Sequence, residues 1–112
     1  MIQNYSFGSI VIDGKTYTSD VIIYPKKVDS GWWRKEGHLL QISDLSKVIE
    51  SEPEILIVGT GNSGLMKISP EVKNLCKTHG IQLISEETSK ACMTYNRLKD
   101  ENKVVACLHL TC

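Results

Sequence analysis

The sequence predicts an α/β fold of three layers, a mixed β-sheet flanked by helices, with an additional antiparallel β-layer formed by the N-terminal strands. Two observations predict this architecture. Strand-like runs separated by turn residues fill the first third of the chain, and from Ser43 onward strands and helices alternate as β-α-β-α-β. Because crossover connections are right-handed, the three strands of the second half are expected to be mostly parallel.

Length and composition are those of an ordinary globular protein. The 112 residues fit a single domain over 1–112, and 13 basic and 13 acidic side chains cancel. A chain without net charge lacks the basic footprint of nucleic-acid binding, and no apolar run approaches the roughly 20 residues of a membrane span. The first five residues have neither the basic nor the apolar region of a secretion signal. We therefore expect a cytoplasmic protein that neither binds nucleic acid nor inserts into a membrane.

The N-terminal third is predicted to be β-structure. Asp13-Gly14 is a two-residue hairpin signal, because a type I′ turn needs positive φ at both positions. Pro25 ends the third strand, and Ser30-Gly31 interrupts the fourth. The region 34–42 shows no periodicity and predicts a loop. The predicted strands are 7–12, 15–18, 21–24 and 28–33.

Helix signals organise the second half. Ser43 can cap a short helix that Pro53 prevents from continuing. Ser69-Pro70-Glu71 combines a capping hydroxyl, a proline at the first helical position and an acid in the first turn, and Gly80 supplies the stop. A third helix is predicted over about 88–101, with Asn102 in the left-handed position after it. One predicted strand follows each of these three helices: 55–58, 81–85 and 104–110.

The strand at 55–58 continues into a G-x-G-x-x-G loop, Gly59 to Gly64, the local signature of a dinucleotide-binding turn. A dinucleotide fold places its third glycine in the first helical turn, whereas the next helix here starts only at Ser69. We predict a structural turn beside Tyr95 and Asn96 of the last helix, and no cofactor. The alternative is a ligand or anion cleft at the strand ends. Its candidate residues are Gly59, Thr60, Gly61, Ser69, Tyr95 and Asn96.

Cysteine and histidine patterns permit two kinds of chemistry, both of which have a simpler explanation. Cys107 and His109 face one side of a strand with Cys112 nearby, but no fourth ligand has the spacing of a structural zinc site. Cys76 and His79 could form a Cys–His nucleophile, yet that spacing is also ordinary on an amphipathic helix. We expect no metal and no catalytic residues. Cys76 and Cys92 are predicted on buried helix faces and Cys107 within the sheet.

The only two tryptophans, Trp32 and Trp33, are adjacent. If this segment is extended, the two indoles point to opposite faces, so a one-sided core can bury one of them. One alternative is that both are covered, one by the core and the other by the N-terminal β-layer or the 34–42 loop. We expect instead that Trp33 packs inward and that Trp32 is exposed beside Arg34 and Lys35. Trp32, Arg34 and Lys35 would then form a partner surface of the aromatic–Arg composition typical of interface hot spots.

Four stretches together carry a family resemblance: Trp33-Arg34-Lys35-Glu36, Ile57-Val58-Gly59-Thr60-Gly61, residues 91–98 with Tyr95-Asn96, and Val104-Val105-Ala106 leading to His109-Leu110-Thr111-Cys112. The chain resembles the family of the adipogenesis-associated domain-containing protein and its archaeal hypothetical relatives. More distantly, it resembles the mitochondrial respiratory complex I assembly factor 3. The resemblance implies a mixed sheet between helices with an extra N-terminal β-layer, and it carries over no catalytic residues.

The resemblance and the lack of a catalytic constellation favour one function. We expect a non-enzymatic protein-binding or assembly and regulatory module with an unidentified protein partner, and self-association into a homodimer is left open. The alternative is a small nucleotide- or anion-binding protein, or an enzyme, that uses the cleft at the Gly59–Gly64 loop.

Overall fold

The secondary structure begins with strands and becomes an alternation of strands and helices after residue 45. The computed structural model describes residues 1–112. Its strands are β1 Ile2–Ser6, β2 Ser9–Ile12, β3 Lys15–Tyr17, β4 Val21–Tyr24, β5 Lys27–Ser30, β6 Leu39–Leu40, β7 Ile55–Thr60, β8 Lys67–Ile68, β9 Gln82–Glu86 and β10 Val104–His109. Its helices are a 3-10 turn Ile42–Leu45, α1 Ser46–Glu50, α2 Pro70–Thr78 and α3 Thr88–Leu98.

The central sheet has five strands in the order β5-β4-β10-β7-β9. Strands β10, β7 and β9 are parallel, whereas β4 and β5 join antiparallel at the β10 side. Strands β1, β2 and β3 form a separate antiparallel sheet, and β6 pairs with β8 in a short parallel ladder. The predicted mixed sheet with a parallel C-terminal half and an N-terminal β-layer is confirmed.

Each face of the central sheet has its own apolar core. The α3-side core lies between the sheet, α3 and the N-terminal sheet, and it includes Ile10, Ile57 and Tyr95. The α2-side core lies beneath α1 and α2, and it includes Leu56, Trp32 and Val72. Every residue of β7 and β10 is buried, because both faces of the central sheet are covered. This explains why the two strands are continuous apolar runs without polar alternation.

Several predicted elements differ from the structure at the N-terminal end. The Asp13-Gly14 hairpin is confirmed, with φ of +48° and +81°. The predicted strand 7–12 is wrong in its first half, because Phe7-Gly8 is a turn that joins the unpredicted strand β1 to β2. The fourth strand ends at Ser30, since Gly31 has a φ of +83°. The region 34–42 contains the short strand β6 instead of loop alone.

The helices follow their capping signals with two corrections. Ser69 caps α2 as predicted, its Oγ accepting from the Val72 amide at 3.3 Å. The first helical segment begins after Gln41 instead of at Ser43, and the Asp44 side chain accepts the Gln41 amide at 2.9 Å. Helix α3 ends at Leu98, three residues before the predicted end. Asn102 is not left-handed; its side chain donates to the Leu98 carbonyl at 3.2 Å.

Candidate functional site

A cluster of the buried residues Arg34 and His109 with the half-buried Asp20, called here the Asp20 cluster, lies where β4 begins and β10 ends. Arg34 Nη1 donates to Asp20 Oδ2 at 2.8 Å, and His109 Nδ1 lies 2.8 Å from the same oxygen. The other carboxylate oxygen, Oδ1, accepts the Leu110 amide at 2.7 Å. Only 5% of the Arg34 side chain and 7% of the His109 side chain are exposed. The cluster therefore joins β4, β10 and the segment after β5.

The contacts of the cluster fix the proton of His109. A carboxylate only accepts hydrogen bonds, so the 2.8 Å contact with Asp20 requires the proton on Nδ1. Arg34 Nη2, 3.0 Å from Nδ1, instead donates to the Gly37 carbonyl at 3.1 Å. The other ring nitrogen, Nε2, is buried without a hydrogen-bond partner. A general base would need this atom to face a substrate, so the geometry is that of a structural clamp.

The clamp holds Asp20 ionised. Burial acts to raise the pKa of Asp20, but hydrogen bonds from His109, from the Leu110 amide and from Arg34 outweigh it and hold the pKa below its ordinary value of 3.8. The Arg34 guanidinium also stacks on the Trp32 indole, with Cζ 4.7 Å from the ring centroid. Ion pair and stacking together fix the backbone on both sides of residue 33.

The glycine loop is closed by the C-terminal segment of the chain. The Asn62 amide donates to the Thr111 carbonyl at 2.6 Å, and the Leu65 amide donates to the Cys112 carbonyl at 3.2 Å. A Cβ at Gly61, where φ is +108°, would lie 2.3 Å from the Cys112 carbonyl carbon. A pyrophosphate would need free amide donors on this face of the loop. The protein's own chain occupies that face.

The residues predicted to line the cleft do not lie together in the structure. Thr60 Oγ1 donates to the Glu86 carbonyl, and the Gly61 amide donates to Thr88 Oγ1 at the start of α3. Tyr95 packs in the α3-side core, and Asn96 exchanges two hydrogen bonds with the Ile2 backbone. The expectation that the loop abuts Tyr95 and Asn96 is wrong, because it meets α3 at Thr88, the first residue of the helix. Ser69 is used in capping α2.

A groove of about 490 Å³ does lie beside this turn. It is lined by Thr60, Gly64, Met66, Lys67, Ile68, Lys73, Leu83 and Ser85. Neither Lys67 nor Lys73 has an acidic side chain within 4.0 Å. The groove lies at the carboxyl ends of β7 and β9, where open parallel sheets commonly bind ligands.

The two tryptophans are placed opposite to expectation. Trp32 is 8% exposed, with its indole in the α2-side core and Nε1 donating to the Asp44 carbonyl at 3.2 Å. Trp33 is 79% exposed. Of the three residues predicted for a partner surface, Trp32 and Arg34 are buried and only Lys35 is exposed. The positive φ of Gly31 ends β5, so the strand alternation does not extend to residue 32.

The thiols are placed as predicted. Cys76, Cys92 and Cys107 are buried, and Cys112 is exposed. Burial raises the pKa of Cys92 to about 12 and also raises the pKa values of Cys76 and Cys107, so none of the three is a thiolate at neutral pH. No three His, Cys, Asp or Glu side chains gather with the spacing of a metal site.

Comparison with protein families identifies the chain. The model of a family described as protein of unknown function (DUF498/DUF598) matches residues 2–109. The chain belongs to the DUF498/DUF598 family. A crystal structure of a conserved hypothetical protein from Pyrococcus horikoshii OT3 shares its fold with a TM-score of 0.87 and 28% identity, covering 100% of this chain and 99% of that one.

Curated relatives of this DUF498/DUF598 protein have two kinds of name. NADH dehydrogenase (ubiquinone) 1 alpha subcomplex assembly factor 3 from Xenopus tropicalis is 27% identical over 94% of this chain and 57% of its own length. A 13 kDa major membrane protein from Francisella tularensis is 31% identical over 80% of this chain and 68% of its own length. The chain thus spans little more than half of the assembly factor. The resemblance to complex I assembly factor 3 and to archaeal hypothetical proteins is confirmed.

The helices of the DUF498/DUF598 protein are short. The longest is α3 with 11 residues, and none has the length and apolar character needed to cross a bilayer.

Asp20 is the residue that sequence reasoning missed. The sequence contains one sign of its role, because an acid directly before the apolar run Val21–Tyr24 lies where a strand begins. Val21 pairs with Leu108 in the antiparallel ladder, and one further step places Asp20 opposite His109. Only the register of the two strands brings these residues together, and the sequence alone does not give it.

Proposed function

We propose that this protein is a non-enzymatic protein-binding module that acts in the assembly or regulation of a larger complex, and that it contacts its partner through Trp33. The observation that supports the proposal is an indole exposed over 79% of its surface between two fixed neighbours. Trp32 is held in the α2-side core, and Arg34 is held in the Asp20 cluster. An aromatic side chain on a rigid backbone loses little conformational entropy when it is buried against a partner.

The backbone that follows Trp33 is also fixed. Lys35 is exposed next to it, and the Lys35 amide donates to Asp44 Oδ1 at 3.1 Å, which extends the fixed backbone by one residue. Tryptophan is one of the three residue types enriched at interface hot spots. The named role of the curated relative, an assembly factor for a respiratory complex, also favours a function exercised through other proteins.

Two finer assignments belong to the same proposal. The terminal His109-Leu110-Thr111-Cys112 resembles the adipogenesis-associated branch of these proteins, and we place the chain closer to that branch than to the assembly factors. All four cysteines are unpaired, which supports a reducing compartment, and we propose the cytoplasm. Neither nucleic acid nor membrane insertion is part of this proposal.

The test replaces Trp33 by Ala. Affinity capture from source cells, followed by measurement of the affinity for the most enriched partner, should show binding weakened by about 30-fold or more, the effect of removing a hot spot of about 2 kcal/mol. The melting temperature should be almost unchanged, because the exposed indole contributes little to either core.

Phe7→Ala is the matched control, since Phe7 is also an exposed aromatic residue, 60% accessible, on a turn of the N-terminal sheet. It should leave binding at the wild-type level. Equal binding by both variants and the wild type would place the interface elsewhere. Failure of the wild-type protein to enrich any partner reproducibly would contradict the protein-binding function itself.

The groove beside the glycine turn favours a second candidate, a small-anion binder. Lys67 and Lys73 present two unpaired ammonium groups to a cavity of about 490 Å³ at the carboxyl ends of β7 and β9. The thermal unfolding of the wild type should then shift upward with phosphate or ATP, since a ligand at 100 times its Kd adds about 2.7 kcal/mol. The Lys67→Gln/Lys73→Gln variant should lose the shift. No shift with any anion would exclude this candidate.

A further inference from the structure

A second groove lies at the opposite end of the central sheet from the glycine turn. It has a volume of about 520 Å³ and is formed by the β4–β5 turn, the end of α1 and the residue that precedes β10. Its lining consists of Tyr24, Pro25, Lys26, Lys27, Lys47, Glu50, Ser51 and Lys103. We call it the lysine groove.

The lysine groove is strongly positive in a chain that has no net charge. Four lysines face one glutamate in its lining, and none of the four has an acidic side chain within 4.0 Å. The nearest further acid along β5 is Asp29, two residues after Lys27. The Glu54 carboxylate is close to Lys103 but accepts its backbone amide, at 2.6 Å. Four ammonium groups that form no ion pair, on three separate chain segments, create a local positive field that an anionic partner would neutralise.

Part of this array is held in place before anything binds. The Lys27 ammonium lies 5.2 Å from the centroid of the Tyr24 ring, and Lys103 Nζ donates to the Ser51 carbonyl. Tyr24 itself is buried in the α2-side core and gives the groove a fixed floor. Lys26 and Lys47 make no such contacts, so their ammonium groups are free to reach a ligand.

We infer that the lysine groove binds an acidic, extended segment of a partner protein. Four lysines spread over three chain segments match a row of carboxylates better than one small anion, which would need only one or two of them. The Tyr24 and Pro25 rings and the lysine methylenes supply apolar surface for the peptide backbone and side-chain stems. The inference rests on the proposed protein-binding function, but it concerns a surface separate from Trp33.

The test uses an octaglutamate peptide as the probe, with binding to the 112-residue protein followed by fluorescence anisotropy. At an ionic strength of about 10 mM, where the Debye length is about 30 Å, binding should be saturable. The Lys26→Gln/Lys47→Gln variant should bind about tenfold or more weakly, because two ammonium–carboxylate contacts are lost. Both lysines are exposed, so its melting temperature should stay near that of the wild type.

The control is Lys77→Gln/Arg97→Gln, which removes the same charge from exposed helix positions outside the groove. It should weaken binding less than about twofold if the groove, and not net charge, is responsible. Equal losses in the two double variants, no saturable binding by the wild type, or displacement of the peptide by an equal concentration of inorganic phosphate would each overturn the inference. Trp33→Ala should bind the peptide like the wild type, so failure of the Trp33 surface and failure of the lysine groove are distinguished.

Discussion

Arg34 is the residue whose removal should cost this fold most among its charged side chains. It is buried, pairs with Asp20 at 2.8 Å and stacks on Trp32. Arg34→Met keeps the apolar stem but leaves the half-buried Asp20 carboxylate without its guanidinium, and the free energy of unfolding should fall by about 3 kcal/mol. Urea denaturation would measure the loss as a lower midpoint with an unchanged slope.

Lys35→Met is the control for that prediction, since the neighbouring lysine is exposed and has no ion pair. It should change stability by less than about 0.5 kcal/mol. A similarly small effect of Arg34→Met would show that the Asp20 cluster contributes little to the fold.

Asp20 should make stability depend on pH in the acid range. Its pKa is lowered in the folded protein, because the hydrogen bonds of the cluster outweigh the opposing effect of burial. A lowered folded-state pKa contributes stability that is present above the unfolded-state value of about 3.9 and is lost as the pH falls through the folded-state value. In Asp20→Asn, the free energy of unfolding should therefore vary less between pH 5 and pH 2 than in the wild type, as followed by urea denaturation at each pH. An acid limb as steep as that of the wild type would disprove the assignment.

Single residues were the least predictable level from the sequence. The strand pattern indicated that the two indoles point to opposite faces, but the expectation that Trp33 is the inward one was wrong. Gly31 interrupts the alternation, and Trp32 is then held inward by Arg34 and by its hydrogen bond to Asp44. Both contacts come from the fold around the residue, so the local pattern could not reveal them.

At the level of elements, the glycine turn is a joint between β7, α3 and the chain end. A left-handed conformation costs a residue with a Cβ about 1–2 kcal/mol. Gly61→Ala should reduce the free energy of unfolding by more than this, because the added carbon would also meet the Cys112 backbone. Gly31→Ala separates the two effects, since Gly31 has a φ of +83° and no neighbour within 4 Å of a Cβ. Chemical denaturation of both variants should show the larger loss for Gly61. Equal losses would mean that the chain end moves aside freely.

Elements with local signals were predictable, and elements made by pairing were not. Helix α2 has its cap, proline and stop in its own sequence, and it forms where those residues indicate. Strands β6 and β8 have two residues each and exist only because they pair with one another. Strand β1 is polar at three of its five positions and is held partly by the Asn96 side chain. Contacts of this kind depend on residues distant in sequence.

For the whole molecule, the central sheet ties two cores into one structure, and we propose that residues 1–112 unfold as a single domain. The parallel direction of β7, β9 and β10 followed from the alternation of elements, whereas their order in the sheet and the attachment of β4 beside β10 did not. That attachment joins residues 89 positions apart in the contact between Asp20 and His109. It places the first third of the chain against the last strand.

The thiols test this proposal, because they report on both cores separately. Cys92 lies in the α3-side core, while Cys76 and Cys107 lie in the α2-side core. All three have raised pKa values, so alkylation by iodoacetamide at neutral pH should modify only Cys112 in the native protein. In increasing urea, the three buried thiols should become reactive over the same concentration range, which mass spectrometry of the alkylated peptides would show, because one cooperative unit exposes both cores together. Earlier reaction of Cys92 than of Cys76 and Cys107 would mean instead that α3 and the N-terminal sheet open as a unit of their own.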